Sequence, residues 1–288
     1  MITETREEQN LNPLRPQSQS ARELAVIAKK IRLDTFEMVV QAKRGHLGGS
    51  FSSTDLLVAL YYGKILRFDA ENPQWHGRDR FVMSKGHANN SLYVILANLG
   101  FFSKDHLLNY CGDDGLLGGH VEKHVPGNEI TSGSLGHGLG LASGMALAAK
   151  IDGKTHLVVT MIGDGESQEG SIWEAAMFAS QHKLHNLIGI TDRNMLGSED
   201  FTENTCGLNP LKDKWEAFGW EVRSIDGHDF SEILSAFADV RDRNSEKPLM
   251  IIAHTVKGKG LPTLENTPKA HHTLPDALGI ARTREELQ

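Results

Sequence analysis

The sequence predicts an α/β fold, a mostly parallel sheet with helices on both faces. Three observations carry that expectation. Short apolar runs of strand length recur at Arg80–Ser84, Val158–Ile162, Ile188–Thr191 and Leu249–His254. Stretches of helical period separate them, and strand alternating with helix implies parallel pairing with helices packed on the sheet. Two of the runs end in turn formers, Gly163-Asp164-Gly165 and Asp192-Arg193-Asn194, as strands do where they leave a sheet. The order of the strands is not readable from these patterns.

Taken in chain order, residues 1–17 carry Asn12-Pro13 and Arg15-Pro16 without a period and read as a flexible or wrapping extension, which leaves 18–288 as one domain. From Ser18, Leu24, Ile27, Ala28, Ile31, Thr35 and Met38 keep to one face, predicting a helix stopped by Gly45. Thr54–Lys64 reads as a second helix capped by Ser52 or Ser53. The strand at Arg80–Ser84 leads into Lys85-Gly86-His87-Ala88, and Asn90–Leu99 is helical. Residues 111–137 form a long loop rich in glycine and histidine, a length that is usually functional. Gly138–Lys150 is a helix of small residues suited to close packing. After the strand that ends in Gly163-Asp164-Gly165 come a helix over 168–183, a strand at Ile188–Asn194 and a loop at 195–210. A helix at Pro210–Phe218, a strand at Trp220–Ile225, a helix over 230–242 and a strand at Leu249–His254 follow. Val256–His272 is again loop-like, with Gly258, Gly260, Pro262 and Pro268.

Bulk properties narrow the function classes. A chain of 288 residues with 39% hydrophobic content has enough material for one large core. No apolar run approaches the ~20 residues that a bilayer span needs, so no membrane association is expected. A net charge of −7 without a basic tract makes nucleic acid an unexpected partner. The polar start, Met1-Ile2-Thr3-Glu4, is not a signal peptide, and Cys111 and Cys206 are too few for a disulfide framework; a cytoplasmic location with free thiols is expected.

The chemistry is concentrated at strand ends. Asp164 and Asn194 each stand where a strand runs out, so both can face the crevice in which open α/β sheets bind ligands. One carboxylate and one amide oxygen beside glycines suit Mg²⁺ held between protein and a diphosphate, since Mg²⁺ takes one or two carboxylates and completes its octahedron with water and phosphate. Gly-Asp-Gly followed at this distance by Asn is the thiamine diphosphate signature. Around it lie Gly45-His46-Leu47-Gly48-Gly49, Ser84-Lys85-Gly86-His87-Ala88, Gly119-His120-Val121-Glu122, Gly133-Ser134-Leu135-Gly136-His137-Gly138, Gln168-Glu169-Gly170 and Ala270-His271-His272. The 14 histidines matter because several sit in glycine-rich settings that core packing does not explain.

In this order and spacing the motifs closely resemble the N-terminal, diphosphate-binding half of transketolase, from about Ala21 to Pro275. The resemblance implies that Asp164, Asn194 and the carbonyl of Leu196 hold Mg²⁺ (Ca²⁺ or Mn²⁺ substituting), with Gly163, Gly165 and Glu169 belonging to the same cofactor-binding stretch and the Gly165 N–H on the diphosphate. His87 matches a diphosphate-binding histidine, and Gly133 and Leu135 match residues whose backbone meets the aminopyrimidine. His46 and His120 match histidines lining the sugar channel; His271 and His272 both fit a further catalytic histidine, with His271 favoured. The cofactor would supply a carbanion that attacks a ketose carbonyl and a ring that stores electrons as the adjacent C–C bond breaks, while histidines, titrating near neutrality, move protons on the sugar. His124, four residues after His120, suggests a metal pair, but Pro126 and the glycines argue against a helix there, and a structural role is expected. His137 and Leu47 stand where many family members have Gln and Pro, which leaves substrate preference open.

Transketolases that carry both domains in one chain provide, from the second domain, a glutamate for the aminopyrimidine and most of the sugar-phosphate contacts. The expectation is therefore a first subunit of a split transketolase, inactive alone and working as an α2β2 assembly with a C-terminal subunit, on a ketose donor and aldose acceptor. The small-residue helix 138–150 and Trp173 are candidates for the interface, with core packing the alternative. Competing readings are the α subunit of a 2-oxo acid dehydrogenase, which has no need of the sugar-facing histidines, a non-catalytic cofactor-binding homologue, and a metal-dependent hydrolase, which needs three ligands at fixed spacing.

Overall fold

The computed structural model describes residues 19–288, so the expected extension at 1–17 lies outside the described residues. Helix α1 (Ala21–Ala42) opens on a reciprocal cap: the Glu23 N–H donates to Ser20 Oγ at 3.3 Å and the Ser20 N–H donates to Glu23 Oε2 at 2.7 Å. It ends earlier than Gly45, because Lys43 takes the left-handed conformation at φ 54° and the φ of +136° at Gly45 then turns the chain inward. Two helices follow, α2 (Leu47–Ser52) and α3 (Thr54–Tyr62). No period in the sequence announces α2, since every one of its residues is buried and such a helix has no polar face. Ser53 stands at the cap position of α3, but its hydroxyl donates back to Gly49 O at 2.8 Å, because α2 runs almost directly into α3.

The remaining elements are β1 (Arg80–Met83), α4 (Asn90–Asn98), α5 (Gly138–Ile151), β2 (Val158–Gly163), α6 (Gly170–Gln181), β3 (Leu187–Arg193), the single turn α7 (Thr202–Thr205), α8 (Leu211–Ala217), β4 (Glu221–Asp226), α9 (Phe230–Phe237), β5 (Leu249–His254) and α10 (Ala277–Leu287). Short 3-10 turns occupy 86–88, 104–109, 165–168 and 268–271. Helix α9 is shorter than expected: past Phe237 the chain turns so that Arg241 reaches Asp79 and the Ile65 carbonyl. Helix α10 adds to the elements expected from sequence; Asp276 Oδ1 accepts the Gly279 N–H at 2.8 Å, and Arg284 reaches Glu37 on α1.

Among the described residues the strands form one parallel sheet in the order β1-β2-β3-β5-β4. Side chains alternate between two cores, as a strand buried on both faces requires. Val159, Met161, Ile188, Ile190 and Ile251 face the core built with α1, α3, α4 and α9, whereas Val158, Ile162, Leu187, Met250 and Ile252 face α5, α6 and α8. Trp173 is half-buried against Trp215 and Phe218, with ring centroids at 4.9 and 5.1 Å. Strand β4 closes one rim of the sheet, carrying Glu221, Arg223 and Asp226. Beneath α1, Arg32 makes a paired contact with Asp55 on α3 at 2.8 and 2.6 Å. His228 accepts the Val256 N–H at Nε2, so its proton sits on Nδ1 and is donated to Asp55 Oδ2 at 2.7 Å. That network anchors the loop after β5 to α1 and α3.

Candidate active site

Beyond the carboxyl ends of β1, β2, β3 and β5 lies a cavity of about 410 Å3 lined by His46, Gly49, Lys85, His87, His120, Gly133, Leu135, Gly163, Asp164, Gly165, Glu166, Asn194, Leu196, Lys257 and His271, among others. This is the place where parallel sheets present strand-end side chains to ligands. A more open depression of about 520 Å3 between β4 and α9 gathers Arg223, Ile225, Ser231 and Glu232 but no strand end or histidine.

Asp164 follows β2 and is buried; its Oδ1 accepts the Gly165 N–H at 2.8 Å and its Oδ2 the Met195 N–H at 2.5 Å. Burial, reinforced by the nearby Asp192 charge, pushes its carboxyl up to about 6 against the pull of Arg193. Arg193 Nη1, 3.4 Å from its Oδ2, offsets the Asp164 charge only in part. Asn194 closes β3, with Oδ1 accepting the Leu196 N–H at 3.2 Å and Nδ2 donating to Asp192 Oδ2 at 3.2 Å. The Leu196 carbonyl accepts from the Lys257 ammonium at 3.3 Å, and the Gly197 carbonyl accepts from the same group. Lys257 thus acts as a stand-in cation on an oxygen expected to face a metal. The oxygen donors and the stand-in charge fit a hard divalent ion. A Cβ added at Gly165 would reach into the cavity and meet only Gly197 Cα at 3.5 Å, which leaves the backbone open to a bulky anion.

Four imidazoles gather above this floor. His46 is central, with ring centroids 5.5 Å from His87, 5.5 Å from His120 and 5.4 Å from His271; His87 and His271 are 5.0 Å apart. Burial, and after it proximity to the His120 and His272 imidazoles and the Lys257 ammonium, pushes His46 down to about 4. Burial and Lys257 push His271 down to about 3, and burial with Lys85 holds His87 well below the ordinary range. All three are neutral near pH 7, and burial makes each a weaker base than an ordinary imidazole. His272 is exposed and lies outside the lining, its ring 6.0 Å from that of His271. Glu169, at the start of α6, is also exposed and outside the lining. His124 binds the Leu116 carbonyl at 3.0 Å and Glu122 at 3.1 Å, and no cluster of three His, Cys, Asp or Glu suited to a metal occurs among the described residues.

Four residues that the sequence motifs do not single out belong to the same place. Glu166, buried, accepts N–H groups from Gly136 and Gly163 at 2.9 Å each and the Ser84 hydroxyl, joining the loops after β1, β2 and before α5. Lys85 is buried with its ammonium on Gly49 O at 3.0 Å and on Asp192. Asp192 is wholly buried; burial alone would raise its carboxyl, but Lys85 and the Ser52 and Thr255 hydroxyls hold it below the usual range. Burial lowers Lys257 to about 8 although Asp164 and Asp192 draw it up. The available signal is positional: Lys85 and Asp192 lie at strand ends, and Lys257 lies in the glycine loop that follows β5.

Residues 24–288 match the family model described as transketolase, thiamine diphosphate binding domain. The chain is 43% identical over 255 residues to one of the subunits of an apulose-4-phosphate transketolase from Phocaeicola vulgatus, covering 88% of this chain and 90% of that one. It is also 43% identical over 246 residues to the 6-deoxy-6-sulfo-D-fructose transketolase subunit SqwG of a Clostridium species, covering 85% and 89%. Among solved structures, transketolase from Campylobacter jejuni superposes with a TM-score of 0.88 at 35% identity, over 93% of this chain and 43% of that one.

Proposed function

The chain belongs to the transketolase family, and on that premise we propose that it is the cofactor-binding subunit of a two-subunit transketolase, using thiamine diphosphate and Mg²⁺ to move a two-carbon ketol unit from a ketose to an aldose. The observation that carries this reading is the meeting, in one cavity, of the Asp164, Asn194 and Leu196 oxygens with the imidazoles of His46, His87, His120 and His271. Asp164, Asn194 and the Leu196 carbonyl would hold the cation, with Ca²⁺ or Mn²⁺ able to substitute. Gly163 and Gly165 would lie along the diphosphate, with His87 and Lys257 offering it N–H groups. Lys257 would leave the Leu196 carbonyl when the cation arrives. Gly133 and Leu135 would meet the aminopyrimidine through their backbone. His46, His120 and His271 would hold and move protons on the hydroxyls of the sugar; His272 and Glu169, both exposed, would support them from outside the cavity. The bound cofactor supplies the nucleophile and electron sink that these side chains lack.

The two-subunit reading is supported by relatives that are themselves called subunits and that this chain matches over most of their length. It is further supported by the mouth of the cavity, where His120, Gly133 and Ser134 are exposed, and by exposed Leu141 on α5 and Met177 on α6. A C-terminal subunit would roof the cofactor there, provide its glutamate and grip the distal end of the sugar, in an α2β2 assembly. Relatives named for a phosphorylated and a sulfonated ketose point to a donor with an anionic tail.

The test is reconstitution. Turnover of a ketose phosphate with thiamine diphosphate and Mg²⁺ is expected only when the partner subunit is added, and Asp164→Ala is expected to abolish cation-dependent cofactor binding measured by calorimetry. Full turnover by the chain alone, or unchanged binding in Asp164→Ala, refutes the reading.

A further inference from the structure

We propose that Asp192 is the positioning residue that dictates which atom of the Asn194 amide faces the cation. The inference rests on the reading above, in which Asn194 is a cation ligand. Asp192 is the next-to-last residue of β3 and wholly buried, in register with Gly163 on β2 and Ala253 on β5. Four donors converge on its carboxylate: Ser52 Oγ at 2.6 Å, Asn194 Nδ2 at 3.2 Å, the Lys85 ammonium and the Thr255 hydroxyl. They arrive from α2, from the end of β3, and from the turns that follow β1 and β5, so the carboxylate is held from every side.

The chemistry of the neighbours leaves the amide one orientation. A carboxylate only accepts, so the atom of Asn194 that faces Asp192 must be the NH2. The Leu196 N–H, 3.2 Å away on the other side, only donates, so the atom that faces it must be the oxygen. The two requirements agree. The amide oxygen is therefore fixed on the side of Leu196, whose own carbonyl belongs to the same donor set. With Asp192 neutralised to an amide, the first requirement weakens and only the Leu196 N–H still selects the oxygen; the fraction of Asn194 that flips would turn an NH2 toward a divalent ion and repel it. Groups that orient metal ligands in this way typically govern ~10–100-fold in metal affinity.

The experiment uses the whole chain, Mn²⁺ as probe and inorganic pyrophosphate as co-ligand, with free Mn²⁺ read by electron paramagnetic resonance. Asp192→Asn is expected to raise the Mn²⁺ dissociation constant by about 10–100-fold. Adding Asn194→Asp to that variant replaces the flippable amide with two equivalent oxygens, returns the lost charge beside Lys85, and is expected to bring Mn²⁺ binding back to within about tenfold of wild type. Asn194→Asp alone measures what a carboxylate at 194 adds by charge; a rescue larger than that gain supports the role of Asp192, and a rescue no larger than it overturns that role. If Asp192→Asn does not fold, the double variant is read alone against the same threshold. Wild-type Mn²⁺ binding in Asp192→Asn, or failure of the double variant to bind, overturns the proposal. Asp164→Ala serves as the reference: its loss of Mn²⁺ alongside normal binding in Asp192→Asn defeats only the role of Asp192, whereas normal binding in Asp164→Ala defeats the site reading itself.

Discussion

In the proposed cation site, Asp164 would carry the pH behaviour. Its carboxyl titrates at about 6 in the folded chain against 3.8 when unperturbed. A raised folded value means that its contribution to stability is full below pH 3.8 and is lost as pH rises through about 6, where the buried group becomes an anion that Arg193, 3.4 Å away, compensates only in part. A divalent cation held as proposed would restore the balance, so protons and cation would compete for one carboxylate. Cation affinity measured without pyrophosphate, whose own protonation falls in the same range, is expected to fall by about tenfold per pH unit below about 6, and Asp164→Asn to remove that slope along with most of the affinity. A titration series between about pH 5 and 7.5 reads both. His120, exposed at the mouth rather than on the floor, separates turnover from binding: His120→Ala is expected to leave the cofactor dissociation constant unchanged and lower turnover by ~10²–10⁴-fold in the reconstituted enzyme. Asp164 and Asn194 are legible in the sequence because each stands where a strand runs out, and His46, His87 and His120 because glycines flank or adjoin them. Lys85, Asp192, Glu166 and Lys257 are not, because a buried charge is recognisable only beside its partner. Lys85 and Asp192 are on different strands' ends, and nothing local in either segment points to the other.

At the scale of elements, two glycines test why the helices sit where they do. A Cβ on Gly48 would stand 2.5 Å from the Ala270 carbonyl oxygen, so α2 lies against the turn that carries His271. Gly48→Ala is expected to cost ~1–3 kcal/mol through overpacking and to lower the melting temperature. On the outer face of α5 the space around Gly140 is open, and Gly140→Ala is expected to stabilise the isolated chain by ~0.5–1 kcal/mol through lower unfolded-chain entropy. Differential scanning calorimetry of the two variants checks both signs. The long amphipathic helix α1 and the apolar strands are readable from period alone. The fully buried α2 is not, since its sequence shows neither period, and the end of α9 is decided by the reach of Arg241 to a distant segment.

For the molecule as a whole, parallel pairing follows from the alternation of strands and helices, but the order β1-β2-β3-β5-β4 depends on contacts between segments far apart in the chain. The same holds for the Arg32–Asp55–His228 network, whose three members come from α1, α3 and the turn after β4. Removing its carboxylate leaves the buried Arg32 uncompensated. Asp55→Ala is expected to destabilise the chain by ~3–5 kcal/mol in urea denaturation, without altering the cavity chemistry directly. The histidine motifs, by contrast, can be grouped without knowledge of any contact, because the loops after β1, before α5 and after β5 all deliver to one end of the sheet.

One of the two edge strands, β4, bears Glu221 and Arg223, which are bound up with Asp239 and Arg243, and ends in exposed Asp226. A rim of fixed, hydrated charges offers a poor template for a stray strand from another molecule, because joining it would strip water from those ions. A freshly synthesised copy therefore has a built-in guard against fibrillar stacking along this border.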